Sequence, residues 1–250
     1  VVATASQKSW IAPPGISMVS FSDKAWKAYD KSKCPKYYYD MDQYREYLKI
    51  GQRPFTPSLT TMYTLHESLK NMVNEGIESV FERHSKIAQF TRDLAKNIGL
   101  DFVETLCAPG CTSLLKLFTP DYLKVASRDL TNLPLLQVLA ETNIPVIIST
   151  GMAGKKELDM ALETIGKVHD NISILHCVSE YPTRPENANL NTIKYLLEHY
   201  AKYTIGYSDH TIGIAAPVAA VSLGAKIIEK HITIDRRMKG TDQKGSLGPD

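Results

Sequence analysis

At 250 residues, with 43% hydrophobic and 22% charged side chains, the chain has a globular composition and the length of one barrel-sized domain or two small ones. A formal net charge of +2 calls for neither nucleic acid nor an acidic membrane surface, so any basic chemistry must come from single Lys or Arg residues inside a site. No apolar run approaches the ~20 residues of a bilayer span, no signal peptide opens the chain, and the sparse cysteines (Cys34, Cys107, Cys111 and Cys177) fit a reducing cytoplasm.

In chain order, residues 1–6 (VVATAS) and 16–22 (ISMVSFS) read as strands flanking a loop that carries Lys8 and the Pro13-Pro14-Gly15 turn. A Tyr- and Lys-rich stretch over 29–50 follows, then a break at Gly51 and two prolines. Residues 58–76 place Leu59, Met62, Tyr63, Leu65, Leu69, Met72 and Val73 on a broad apolar stripe at helical spacing. Ile87, Phe90, Leu94 and Ile98 do the same for a second helix over 77–99, and the two meet at Gly76. This helix pair would bury little surface alone.

From residue 101 the rhythm changes. Short β-rich runs at 101–106, 122–127, 145–150, 172–177, 204–209 and 226–233 alternate with helical patterns such as 155–168, 189–202 and 214–225. Parallel strands need crossovers of a dozen or more residues, so this is a βαβ order. The strands are continuous apolar runs, as expected when both faces are covered. A closed (β/α)8 barrel has eight strands, and six are visible. The first-segment strands are candidates to cover one open edge. Both chain ends read as cut from something longer.

Polar and small side chains collect where these strands end: Ser127 and Asp129, Ser149 and Thr150, His176 and Ser179, Ser208 to His210, and His231. In α/β folds chemistry gathers at that edge. His210 and His231 each follow a strand, and consecutive strand ends lie side by side. Two imidazoles there either share one catalytic cation with oxygen ligands or are satisfied polar residues. The isolated serines and Thr105 read as phosphate-binding hydroxyls or as strand-end caps. The C-x3-C of Cys107 and Cys111 lacks a second pair, which favours bystander thiols over zinc.

Residues 122–136 (YLKVASRDLTNLPLL), 145–152 (PVIISTGM), 174–183 (ILHCVSEYPT), 205–214 (IGYSDHTIGI), 224–233 (GAKIIEKHIT) and 239–247 (KGTDQKGSL) closely resemble the N-acetylneuraminate (sialic acid) synthase family. The resemblance covers residues 99–250 and implies strands three to eight of a (β/α)8 TIM-type barrel. It implies metal-dependent condensation of phosphoenolpyruvate with an N-acetylhexosamine such as N-acetylmannosamine. Mn or Mg would be held by His210 and His231, polarising the sugar aldehyde for attack by the enol carbon. Lys124, Ser127, Ser149, Ser179, Ser208 and Thr105 match phosphoenolpyruvate-binding positions. Tyr181 and Asp242 match sugar-contacting ones, and Asp129 falls where the family carries an acid near the sugar. Ala126 and Arg128 replace small residues of the family pattern. The family's first two strands, with a catalytic glutamate and a lysine, and its small C-terminal domain have no counterpart here, so impaired activity is expected.

Residues 5–26 and 37–69 resemble instead the class V aminotransferases of the alanine–glyoxylate and serine–pyruvate group. By that resemblance, covering residues 1–98, Lys8 of the S-Q-K turn would form the Schiff base with pyridoxal phosphate, and Thr56 would reach a cofactor phosphate. Without the motif, Lys8 reads as a solvated loop lysine. Transaminase activity is not expected, because the partner groups of the cofactor ring fall outside the resemblance. The stretch LAKNIGLDF suits either family, so the junction is placed near residue 98. The expected fold is therefore α/β: a partial TIM-type barrel of about six strands over 99–250, preceded by an α+β aminotransferase-like fragment over 1–98. The expected location is cytoplasmic, the expected partners are small molecules with no nucleic acid or membrane, and a homodimer is an open expectation. A non-catalytic remnant that binds metal or phosphate is the alternative to an enzyme.

Overall fold

The computed structural model describes residues 1–238 and 242–249. Lys239, Gly240 and Thr241, the start of the KGTDQKGSL motif, lie outside the described residues. The chain divides into two compact units, Val1–Thr91 and Arg92–Asp250.

In the first unit, β1 (Val2–Ala5) and β2 (Ser17–Ser20) pair antiparallel with each other. They form a separate two-stranded sheet, so neither adds a strand to the larger one. The loop between them is tied by Ser6, whose buried hydroxyl donates to the Pro13 carbonyl at 2.6 Å. The Tyr- and Lys-rich stretch contains two helices that the sequence reading left unassigned, α1 (Asp23–Lys31) and α2 (Met41–Lys49). Each starts at a capping side chain: Ser22 accepts from the Ala25 amide and Asp40 from the Asp42 amide. Neither has a buried residue. The two long helices are α3 (Leu59–Glu75) and α4 (Ile77–Asn97), broken at Gly76, whose φ of 87° suits glycine. Only Thr61 and Leu65 of α3 and Val80 of α4 are buried, so the pair contributes little core.

The second unit is a six-stranded parallel sheet in sequential order: β3 (Val103–Thr105), β4 (Tyr122–Val125), β5 (Val146–Ser149), β6 (Ile172–Cys177), β7 (Thr204–Asp209) and β8 (Ile227–Lys230). Helices α5 (Leu133–Ala140), α6 (Lys155–Gly166), α7 (Asn191–His199) and α8 (Ala215–Ser222) are the crossovers from β4 to β8. Strand 3 reaches strand 4 through a 3-10 segment, Pro109–Lys116. Helix α5 was hidden in the sequence because LPLLQVLA is apolar on all sides and shows no 3.6-residue stripe. Its start is nevertheless marked: Asn132 accepts from the Leu135 amide, and Pro134 sits in the first turn. Four of its eight residues, Leu135, Leu136, Leu139 and Ala140, are fully buried. With Ile148, Ile174 and Ile193 they form the core between sheet and helices. At Gly206 on β7 an added Cβ would lie 2.5 Å from the Ile227 carbonyl, so only glycine lets β8 approach this closely.

The sheet is curled rather than flat. Strands β4 and β8 are four positions apart, about 19 Å in a flat sheet at the usual inter-strand spacing. Yet Lys124 on β4 brings its Nζ to 3.5 Å from Glu229 Oε2 on β8. Such a contact across the inner face requires half-barrel curvature.

Replacing Ile174, fully buried on central strand β6, with Ala should lower unfolding free energy by about 2–5 kcal/mol. Leu117→Ala, at a side chain left 76% exposed, should stay within about 0.5 kcal/mol of the parent. Urea titration followed by circular dichroism measures both.

Candidate active site

Strand alternation and the parallel register bring one set of polar side chains to the inner face at the C-terminal strand ends. Lys124 is buried at 6% exposure. Its ammonium donates to Ser149 Oγ at 2.7 Å and to the Val125 carbonyl at 3.1 Å, with Glu229 as counter-charge. Ser208, paired in register with Glu229, donates to Glu229 Oε1 at 2.6 Å. Lys124, Ser149, Glu229 and Ser208 thus form one connected network spanning β4, β5, β7 and β8. Burial holds the Lys124 ammonium below the usual lysine range, while the negative charge of Glu229 pulls it back up.

A second group surrounds Gly151, just past β5. The Gly151 amide donates to Ser127 Oγ at 3.0 Å. A Cβ on this glycine would lie 2.7 Å from Ser179 Oγ and 2.9 Å from both Ser127 Oγ and Cys177 Sγ. The absent side chain keeps that concavity open, and three small polar groups face it. Thr105 lies on edge strand β3, opposite Lys124 in register, and is exposed.

His210 and His231 come together as their strand-end positions predict. Their ring centroids are 5.3 Å apart with planes at 89°. His210 Nδ1 is 2.9 Å from the Val178 carbonyl. A carbonyl only accepts, so Nδ1 carries the proton and Nε2 presents its lone pair. Tyr181 packs on His210 with centroids 4.1 Å apart, and its phenol is pushed above the usual range by burial and by the surrounding negative groups, Cys177, Asp242 and Glu229. Asp242 Oδ2 stands 3.8 Å from His231 Nδ1. A cavity of about 10 Å³ lies among Tyr181, His210, His231 and Asp242, enough for a single ion or water. Among the described residues no three His, Cys, Asp or Glu side chains converge on one point. His210 and His231 are the two imidazoles at this point, and the described residues complete no closed structural metal site around them.

Asp129, mostly buried, lies at the start of the β4–α5 connection with Arg128 Nε 3.3 Å from its Oδ2. Arg128 is largely exposed and also donates to Cys107 Sγ at 3.0 Å. Lys8 and Thr56 belong to the first unit and are both solvent-exposed.

Three residues of the site escaped the sequence reading. Glu229 stands two positions before His231, and a carboxylate inside the apolar run KIIEKHIT was its signal. Gly151 lay inside the quoted STGM motif. Cys177 was counted only as a thiol, though its place at the end of β6 puts it among the strand-end polar groups.

The sheet, the strand-end network and the paired imidazoles define an α/β half-barrel with a polar cleft at its C-terminal edge. The NeuB family model matches residues 59–250, and the chain belongs to that family. Helices α3 and α4, assigned from sequence to the aminotransferase-like fragment, fall within this match. The crystal structure of the spore coat polysaccharide biosynthesis protein SpsE of Bacillus subtilis superposes with a TM-score of 0.61 at 40% identity, over 63% of this chain and 44% of that one. The N-acetylneuraminic acid synthetase of Leptospira borgpetersenii, solved with citrate, gives a TM-score of 0.61 at 37% identity, over 63% and 55%. The N,N'-diacetyllegionaminic acid synthase of Campylobacter jejuni is 40% identical over 158 residues, 62% of this chain and 47% of the relative. The chain spans about half the length of the curated relatives it matches.

Lysine ε-carbon NMR should resolve one side chain, Lys124, titrating below the others. Since Glu229 raises that value, Glu229→Gln should move it further down. An unchanged or upward midpoint would contradict the assignment of Glu229 as its counter-charge.

Proposed function

We propose that this chain carries the phosphoenolpyruvate- and metal-binding portion of a sialic acid-type synthase, which joins phosphoenolpyruvate to an N-acetylhexosamine such as N-acetylmannosamine. The observation that supports this reading is a pair of polar groups at the C-terminal strand ends, the Lys124–Ser149–Glu229–Ser208 network and the His210–His231 pair. The printed functions of the Leptospira and Campylobacter relatives support the same reading.

In this proposal Lys124 supplies the positive charge for an anionic group of phosphoenolpyruvate, and Ser149 and Ser208 donate beside it. Glu229, which occupies Lys124 and Ser208 in the ligand-free arrangement, gives way to the incoming anion and is placed to hold a proton near the reacting carbon. Ser127, Ser179 and the open face of Gly151 form the second anion cradle, and Thr105 lies beside Lys124 on the edge strand. His210 and His231 hold Mn or Mg, which supplies Lewis-acid polarisation of the sugar aldehyde when bound. The proton on His210 Nδ1 fixes that ring with its lone pair toward the cavity. Tyr181, Asp129 and Asp242 orient the sugar. The enol carbon of phosphoenolpyruvate then attacks the aldehyde carbon to form the new C–C bond while the aldehyde oxygen takes up a proton; water adds to the carbon that bears the phosphate, and phosphate leaves as that C–O bond breaks.

Six strands leave β3 and β8 as open edges. A cleft walled on fewer sides excludes water less well, so impaired turnover is part of the proposal. Pyridoxal phosphate is not, because Lys8 and Thr56 are exposed and a Schiff-base lysine works only beside an electron-sink partner.

Calorimetry with phosphoenolpyruvate and Mn, alongside phosphate release with N-acetylmannosamine, tests the reading. Gly151→Ala should weaken phosphoenolpyruvate binding by about tenfold or more, roughly the loss of one charge-assisted hydrogen bond, while the fold persists by circular dichroism. Lys124→Met should do the same. Full-strength binding by both variants would reject the assigned cleft. Binding without any phosphate release would favour the non-catalytic remnant.

A further inference from the structure

We propose that the buried Asp209–Lys230 ion pair is a positioning device for the two imidazoles. Asp209 is the last residue of β7 and Lys230 the last of β8, and they are partners in the strand register. Their side chains are 0% and 6% exposed, with Nζ 2.5 Å from Oδ2. The same ammonium donates to the Thr211 carbonyl. The Asp209 carboxylate accepts from the Thr211 amide at 3.0 Å and from the Thr211 hydroxyl at 3.1 Å.

The next residue on each strand is an imidazole: His210 follows Asp209, and His231 follows Lys230. Backbone on both sides of His210 is therefore held, by Asp209 before it and by Thr211 after it. The clamp on Thr211 comes from the residue that immediately precedes His231. One ammonium thus links the two ring-bearing segments across the strand ends. A buried ion pair seldom stabilises a fold more than apolar residues of the same volume would. What this pair does supply is a fixed relation between two adjacent strand ends, where the rings stand 5.3 Å apart at 89°. Asp209 borders the imidazole cavity, but its carboxylate is fully buried and taken up by Lys230 and Thr211, so it acts as a positioning group.

The role rests on the proposed function in requiring the imidazoles to act together. Two readouts separate the ideas: histidine ring 15N–1H spectra of the metal-free chain, and Co2+ uptake followed by visible absorption. Asp209→Leu/Lys230→Met removes both charges without stranding either. It should keep the fold, move the His210 and His231 ring resonances, and weaken Co2+ binding about 10–100-fold, the usual cost of losing support for a metal ligand. Lys230→Gln, which keeps a donor for Thr211, should restore most of that affinity. Leu196→Ala, a core change on α7 away from the strand ends, should lose stability while leaving rings and Co2+ binding unaltered. Unchanged ring resonances in the folded double variant would overturn the proposal, as would an equal Co2+ loss in Leu196→Ala. If the unaltered chain takes up no Co2+, the metal reading fails and the ring spectra alone decide the positioning role.

Discussion

The contact between Lys124 and Glu229 sets the character of the second unit. It links the second and last strands of the six-stranded sheet through its concave face. To reach one another, the two side chains need the sheet to roll, and the roll gathers the strand ends into a cleft. Ser149 and Ser208 complete the contact by bonding one partner each. The result is a buried ammonium with a displaceable anion beside it. An anion that took the place of Glu229 would keep the buried ammonium paired, and Glu229, whose side chain is 41% exposed, would turn to water.

Curvature also explains why the imidazole pair and the lysine network lie near one another while using different strands. Strands β4 and β5 supply the ammonium and its hydroxyl acceptor, β7 and β8 supply the carboxylate and both rings, and β6 contributes Cys177 and, through the connection after it, Val178, Ser179 and Tyr181. The carbonyl of Val178 selects the His210 tautomer, so the connection between β6 and α7 takes part in the electrostatics of a ring on β7.

Much of the second unit was legible in the sequence because its strands are short apolar runs bounded by turn residues, each ending in a polar side chain. That pattern located the six strands to within a few residues and put His210, His231 and the serines on one edge, while Lys124 was singled out only through the family resemblance. Helix α5 was not legible, since Gln137 is the one polar side chain in its apolar run and marks no clear stripe, although only Leu135, Leu136, Leu139 and Ala140 are buried. Glu229 was not singled out because sequence order shows which residues alternate along a strand but not that β4 and β8 approach each other through space. The first unit was read less well. Helices α1 and α2 are short, mostly polar and have no buried residue, and α3 and α4 fall within the NeuB match rather than with the aminotransferase-like stretch that precedes them.

The central claim is that one cleft holds a metal on two imidazoles beside an anion on Lys124. Anomalous diffraction from crystals of this chain soaked in Mn and phosphoenolpyruvate tests it most directly. The account predicts an anomalous peak about 2.0–2.2 Å from a ring nitrogen of both His210 and His231, the usual metal–imidazole distance, with phosphoenolpyruvate density against Lys124 Nζ and Glu229 displaced from it. A metal peak away from those two rings, or phosphoenolpyruvate bound elsewhere with the Lys124–Glu229 contact intact, would contradict it.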